Sequence, residues 1–226
     1  RKYLDSVREE FPSILHLSQP DKGFQKNKAL NSAVAAIRGD YMIFIDGDCI
    51  PHSRFVEQHN AKAEFGFVCV GRRAELGPKF SRQLTQHHNL LKYFGIRSVY
   101  FIISILSMLD NAKNMEAGLY SPLLHRLIEN KHLGLFGCNF SCFKSDLLKI
   151  NGFNEDFVEP GIGEDSDLEW RFSRVGVTIK TLKFLAIQYH IFHEHKFHAT
   201  ENNLRIMNET READTYVCIR GINQDA

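Results

Sequence analysis

Two carboxylates flanking a glycine, Asp46-Gly47-Asp48, directly follow the apolar run Tyr41–Ile45, YMIFI. Carboxylate oxygens so placed can approach a divalent cation, Mg²⁺ or Mn²⁺, which takes phosphate oxygens and water as further ligands. The same three residues would also make an ordinary Asp-Gly turn. A second acidic cluster sits in GIGEDSDLEW, where Glu164, Asp165, Asp167 and Glu169 crowd a helix start behind Gly161 and Gly163. Helix N-termini attract acids anyway, and Asp165 or Ser166 would serve as N-cap. The glycines, however, add a loop that permits close approach, and a carboxylate held there could take a proton from an attacking hydroxyl. Trp170 and Arg171 read as packing and surface.

The third group is histidine-rich: Gln188–His198 reads QYHIFHEHKFH, with His190, His193, His195 and His198. On an extended segment His193 and His195 share one face and His190 takes the other. Imidazole is a common transition-metal ligand, but the stretch has no zinc-finger spacing. Two readings stay open, a polar strand end with satisfied histidines, or one histidine completing a metal site begun by Asp46 and Asp48.

These groups need a scaffold that brings them together. An amphipathic helix is expected over Arg1–Phe11, a short strand at Ile14–Leu17, a turn at Gln19–Gly23 and a core-facing helix at Asn27–Ile37. Tyr41–Ile45 is apolar throughout, as a strand covered on both faces of a parallel sheet would be. A helix over Arg54–Glu64 and a strand over Phe67–Arg72 follow, then a polar, helical stretch from Pro78 to His132. Beyond it come a strand at Phe136–Phe143, a short helix at Ser145–Ile150, a turn at Asn151-Gly152 and a helix over Ser166–Val175 ended by Gly176. Thr178–Leu182 and Leu185–Phe192 read as extended. The alternation predicts an α/β fold.

Composition narrows the field. The 226 residues carry 28 Lys+Arg against 27 Asp+Glu, and 43% are hydrophobic. That excludes a disordered chain and argues against general nucleic-acid binding, which needs a basic excess. Five cysteines without a CxxC pair suggest reduced thiols in a cytoplasmic setting. Residues 1–11 are charged, with no apolar signal core. The apolar run Val99–Leu109 is about half the ~20 residues a bilayer span needs. It reads as a buried element or, with Lys92 and Arg97 before it, as a peripheral membrane contact.

DKGFQKNKALNSAV, YMIFIDGDCIPH, GCNFSCFKSDLLKINGFNEDF and GIGEDSDLEWR, in that order, resemble family-2 glycosyltransferases with a GT-A fold. The second half also resembles the galactosyltransferase-like C-terminal motif. The resemblance runs from about Asp21 to His195. It implies a mostly parallel central sheet flanked by helices, N-terminally truncated, because the family's first strands have no counterpart before Arg1. It also implies one domain over residues 1–226: a nucleotide-binding part with the acidic pair (1–77), a helical insert (78–135), an acceptor and catalytic part (136–200) and a C-terminal tail (201–226).

Site roles follow from the same resemblance. Asp46 and Asp48 would bind Mn²⁺ or Mg²⁺ and the donor diphosphate, with His193, or alternatively His190, completing the metal site. Asp21, Gly23, Phe24, Lys26, Asn27, Asn31 and Gly47 would line the nucleotide pocket, and Asn139 with Ser141 would lie beside the donor sugar. Asp165 would be the catalytic base and Glu164 would orient the acceptor hydroxyl. The implied activity is metal-dependent, inverting transfer from a nucleotide sugar, of UDP type, to a glycan or lipid-linked carbohydrate. A nucleotidyltransferase is the enzymatic alternative, though a basic, glycine-rich phosphate loop is missing. A catalytically inactive glycan-binding fragment is the other.

Overall fold

The computed structural model describes residues 2–87, 103–107, 109–194 and 200–223. Its first helix, α1 (Lys2–Glu10), precedes α2 (Lys26–Ala36) and strand β1 (Tyr41–Ile45). Then come β2 (Cys49–Pro51), α3 (Phe55–Ala61), β3 (Phe67–Val70), β4 (Arg72–Glu75), α4 (Pro78–Gln86) and the short helix α5 (103–107). A 3₁₀ turn at Met115–Gly118, α6 (Pro122–Arg126), β5 (Asn139–Phe143) and α7 (Lys144–Leu148) lead to α8 (Glu164–Arg174). Strands β6 (Thr178–Thr181) and β7 (Ile187–His190) and helix α9 (Glu201–Glu212) follow.

The strands form two small sheets, ordered β1-β5-β3-β6 and β2-β7-β4. β1 and β3 both run antiparallel to β5, and β2 antiparallel to β7, whereas β3·β6 and β4·β7 are parallel. The expectation of a mostly parallel sheet is therefore corrected to a mixed one. The apolarity of YMIFI has another source. Met42 and Phe44 join the core built with Val34 and Phe140, while Ile43 packs on the cluster of Phe55, Leu182 and Leu185. Cover on both faces makes a strand apolar whichever way its neighbour runs.

Two of the five junctions between the sheets bear on the site. Phe67–Arg72, expected as one strand, breaks at Gly71, where a Cβ would overlap the Ala186 carbonyl and the Asn139 side chain. The second junction is Asp46-Gly47-Asp48 itself, a turn closed by the Cys49 amide on the Asp46 carbonyl at 3.1 Å. The acidic pair thus sits at the seam between sheets. Below it Asn139, fully buried, donates to the carbonyls of Arg72 (3.0 Å) and Ala186 (3.1 Å) and faces His59 Nε2 at 3.1 Å.

Helix α2 buries Asn27, Asn31 and Val34, one face at helical spacing. Asn31 donates to the Phe153 carbonyl (2.8 Å) and accepts from its amide (2.9 Å), which fixes α2 against the loop before α8. Helix α8 opens with three acids and closes with Arg171 and Arg174, the arrangement its dipole favours. It ends in a paired cap, Val177 N–H on Phe172 O at 3.0 Å and Gly176 N–H on Ser173 O at 3.2 Å, with Gly176 at φ 75°. Arg171, expected at the surface, is 1% exposed. It donates to Asp167 at 2.7 Å and to the Ile150 and Gly152 carbonyls, so its charge is spent holding the turn after α7.

Ile14–Leu17 forms no strand; Leu15 and Leu17 are exposed, and the segment pairs with no strand among the described residues. The expected tail is structured. Helix α9 is capped by Thr200, and the segment behind it wraps Asn151, which donates to Cys218 O at 2.8 Å. All five cysteines are free and buried. Of Val99–Leu109, only 103–107 and Leu109 lie within the described residues; His195 and His198 lie outside them. Among the described residues no helix is long and apolar enough to cross a membrane.

Candidate active site

The register of β2 against β7 places the first cluster. Cys49 stands opposite His190, and the Asp48 carbonyl accepts from the Ile191 amide at 2.9 Å. The strand ends at His190, and His193 in the irregular segment after it reaches the same carboxylate. Asp48 Oδ2 lies 3.0 Å from His193 Nε2 and 3.4 Å from His190 Nε2. The two imidazole rings stand edge to face, centroids 4.9 Å apart. Ligand atoms of Asp48, His190 and His193 all fall within 4.8 Å of one another, spaced to hold a metal ion. His190 is buried and His193 exposed, which gives the cluster a closed side and an open one. Burial works against the Asp48 charge, but His190, the Cys49 thiol and His193 outweigh it and hold this carboxyl below its usual range.

Asp46 turns elsewhere. Its Oδ1 lies 3.5 Å from Lys26 Nζ, which also donates to Glu164 Oε1 at 3.2 Å. Lys26 therefore bridges the acidic pair after β1 and the acidic start of α8. Although burial disfavours its charge, Glu164, Asp46 and Asp165 hold the Lys26 ammonium well above the ordinary lysine range. Burial raises Glu164 despite that lysine, and its Oε2 is buried with no hydrogen-bond partner among the described residues. Burial also raises Asp165, against a hydrogen bond from the Gly137 amide to its Oδ2 at 2.8 Å.

A cleft of about 450 Å³ joins these groups. Phe24, Lys26, Ala29, Leu30 and Ile45–Asp48 form one side, and Pro160, Gly161 and Glu164 the other. Asp165 lies deeper, in a small void with Asn27, Leu30, Gly137 and Phe153. The expected site residues thus divide. Phe24, Lys26, Asp46, Gly47, Asp48 and Glu164 meet at the cleft, with His190 and His193 on Asp48. Asn27 and Asn31 are buried fasteners of α2; Asn27 donates to Asn154 O at 2.7 Å. Asn139 and Ser141 belong to the interior. Ser141 Oγ meets Tyr41 Oη and His59 Nδ1, both at 2.6 Å, around a His59 that burial lowers to about 4. Asp21 is exposed and accepts from the Gly23 amide at 3.3 Å, shaping the turn before α2.

Sequence reasoning misses Gly137, where a Cβ would overlap Asp165 Oδ1, and it offers His190 and His193 as alternatives although both reach Asp48. Treating 188–198 as one extended strand puts them on opposite faces. The strand ends at His190, and only that early end could have signalled the pairing.

Residues 1–145 match the family model described as glycosyl transferase family 2, and residues 126–196 match the model described as the N-terminal domain of galactosyltransferase. No curated protein matches the chain.

Proposed function

The chain belongs to glycosyl transferase family 2, and on that premise we propose that it transfers a sugar from a UDP-sugar to a carbohydrate hydroxyl with inversion, assisted by a divalent cation. As a member of this family it is a glycosyltransferase, with a sugar donor and an acceptor as substrates. The observation that carries the finer reading is one cleft on which a metal-spaced Asp/His cluster, a half-buried lysine and a carboxylate oxygen without a partner among the described residues converge.

The donor set fits a metal. One carboxylate oxygen and two imidazole nitrogens lie close enough together to share one ion, and imidazole ligands favour Mn²⁺ over Mg²⁺. Asp48, His190 and His193 would hold the cation, which when bound would supply positive charge for a leaving diphosphate. Lys26 adds a fixed ammonium beside Asp46 at the same cleft. This explains how a chain of formal net charge +1 meets a diphosphate without a basic surface. Phe24 and the 21–31 segment form the nucleotide side, the donor part being 1–77.

On the acceptor side, Glu164 commits Oε1 to Lys26 and leaves Oε2 to accept from a sugar hydroxyl. Asp165, beneath it, takes the proton of the attacking hydroxyl as that oxygen bonds to the anomeric carbon and the UDP oxygen departs from the opposite face. A half-buried carboxyl with raised proton affinity suits such a base better than an exposed one. The test is UDP release from a panel of UDP-hexoses and UDP-N-acetylhexosamines with Mn²⁺ and then EDTA. Mn²⁺-dependent release supports the reading. No release from any donor would sink it.

A further inference from the structure

We propose that Glu169 is a positioning residue: one helical turn beyond Asp165 on α8, it fastens segment 132–137 so that the Gly137 amide stays on the Asp165 carboxylate. The inference rests on Asp165 being the base.

Residues 165 and 169 share a helix face. Glu169 Oε2 accepts from the Leu135 amide at 2.6 Å, and its Oε1 lies 2.8 Å from His132 Nε2. Asp165 Oδ2 accepts from the Gly137 amide at 2.8 Å. Two carboxylates one turn apart thus hold alternate amides of one segment. Two glycines make the fit: a Cβ at Gly134 would come within 3.1 Å of Glu169 Oε2, and one at Gly137 would overlap Asp165 Oδ1. Neither glycine has positive φ, so both serve space and not backbone freedom.

Strand β4 grips the same segment from its other side. Arg72 donates to the Gly134 carbonyl at 2.9 Å, and the Arg72 and Arg73 guanidiniums lie 5.4 and 5.1 Å from the Phe136 ring. Among the described residues Glu169 lines neither the donor cleft nor the candidate metal cluster. Beyond the helix they share, its link to Asp165 is the 132–137 segment.

An amide on a carboxylate favours the ionised form. The other charges facing Asp165 are Lys26 from α2, Asp46 after β1, Arg73 from β4 and, beside it, Glu164. Those facing Glu169 are His132 and Arg72. Removing the Glu169 side chain leaves them in place and releases the Leu135 amide. Gly137 then leaves Asp165, whose proton affinity rises.

The experiment pairs amide hydrogen exchange at Leu135 and Gly137 with the pH–rate profile of UDP release from the best donor of the panel. In Glu169→Ala, Gly137 exchange should accelerate roughly tenfold or more, reflecting a lost latch. The kcat should fall about 10- to 100-fold with donor KM within about twofold, the signature of misplacement. The acid limb should move up by about half to one pH unit. Glu169→Gln, whose carbonyl oxygen still accepts from Leu135, should regain most of the rate, and UDP titration shows whether each variant is folded. Unchanged Gly137 exchange, or faster exchange with wild-type kcat and acid limb, overturns the proposal. Wild-type protein that cleaves no donor would instead remove the base assignment, and the positioning role with it, even with the exchange effect intact.

Discussion

Asp46 and Asp48 look equivalent as a sequence pair, yet they do different work, because a turn sends one to Lys26 and the other to two histidines. Asp48→Ala should abolish Mn²⁺ binding in a direct titration, while Asp46→Ala should keep it and weaken UDP affinity through the loss of a partner for Lys26. Loss of Mn²⁺ binding in Asp46→Ala alone would contradict this division. At the acidic start of α8, Asp165→Asn should lower transfer by about 10²–10⁴-fold with UDP binding retained. A base works only when ionised, so the rate rises as pH passes upward through its pKa. Burial raises both Glu164 and Asp165, which places the acid limb above the ordinary aspartate value of about 4. A limb at or below that value would exclude either carboxyl as the base. The residue types are legible in the chain itself, where the acidic pairs and histidines stand in recognisable company. Which oxygen meets which cation is not legible there, because that depends on the turn at Asp46–Cys49 and on the end of β7 at His190, which no local pattern announces.

At the scale of elements, helices are legible wherever a periodic apolar face meets a stop signal, as in α2 and in α8 with its Gly176 cap. Strand direction is not, since an apolar run reports cover on both faces and says nothing of its partner's sense. The close-approach glycines are hidden for a different reason: Gly71 and Gly137 exist to avoid atoms from segments far along the chain. Gly137→Ala should therefore push Asp165 aside and cut transfer about 100-fold, measured against unchanged Mn²⁺ binding. Wild-type turnover in that variant would show that the close approach has no catalytic consequence. Arg171 illustrates the limit from the other side. A charged residue near a helix end looks solvated, but this one is buried against Asp167 and two carbonyls. Arg171→Ala should cost about 3–5 kcal/mol in urea unfolding, because it strands a buried carboxylate. A loss under about 0.5 kcal/mol would be the value of a surface residue.

The whole molecule joins two small sheets, with the acidic turn at the junction of β1 and β2 and the start of α8 across the cleft from it. Asp48 comes from the first third of the chain, Glu164 and Asp165 from beyond its middle, and His190 and His193 from the last strand and the segment after it, so the site forms only when both sheets do. A cation that binds this folded site and not the unfolded chain stabilises by mass action, by about 2.7 kcal/mol at 100 times Kd. For a chain of this size that is roughly 5–10 °C in Tm. Saturating Mn²⁺ should raise the Tm of the wild type by that amount and leave Asp48→Ala unmoved; an equal rise in both would place the ion elsewhere. The most direct measurement is UDP release from the UDP-sugar panel for wild type, Asp48→Ala and Asp165→Asn, with Mn²⁺ and with EDTA. The account predicts release in the wild type that EDTA abolishes and Mn²⁺ restores, no release in Asp48→Ala, and a loss of about 10²–10⁴-fold in Asp165→Asn with UDP still bound. Release that persists in EDTA, or that survives both substitutions, would contradict it.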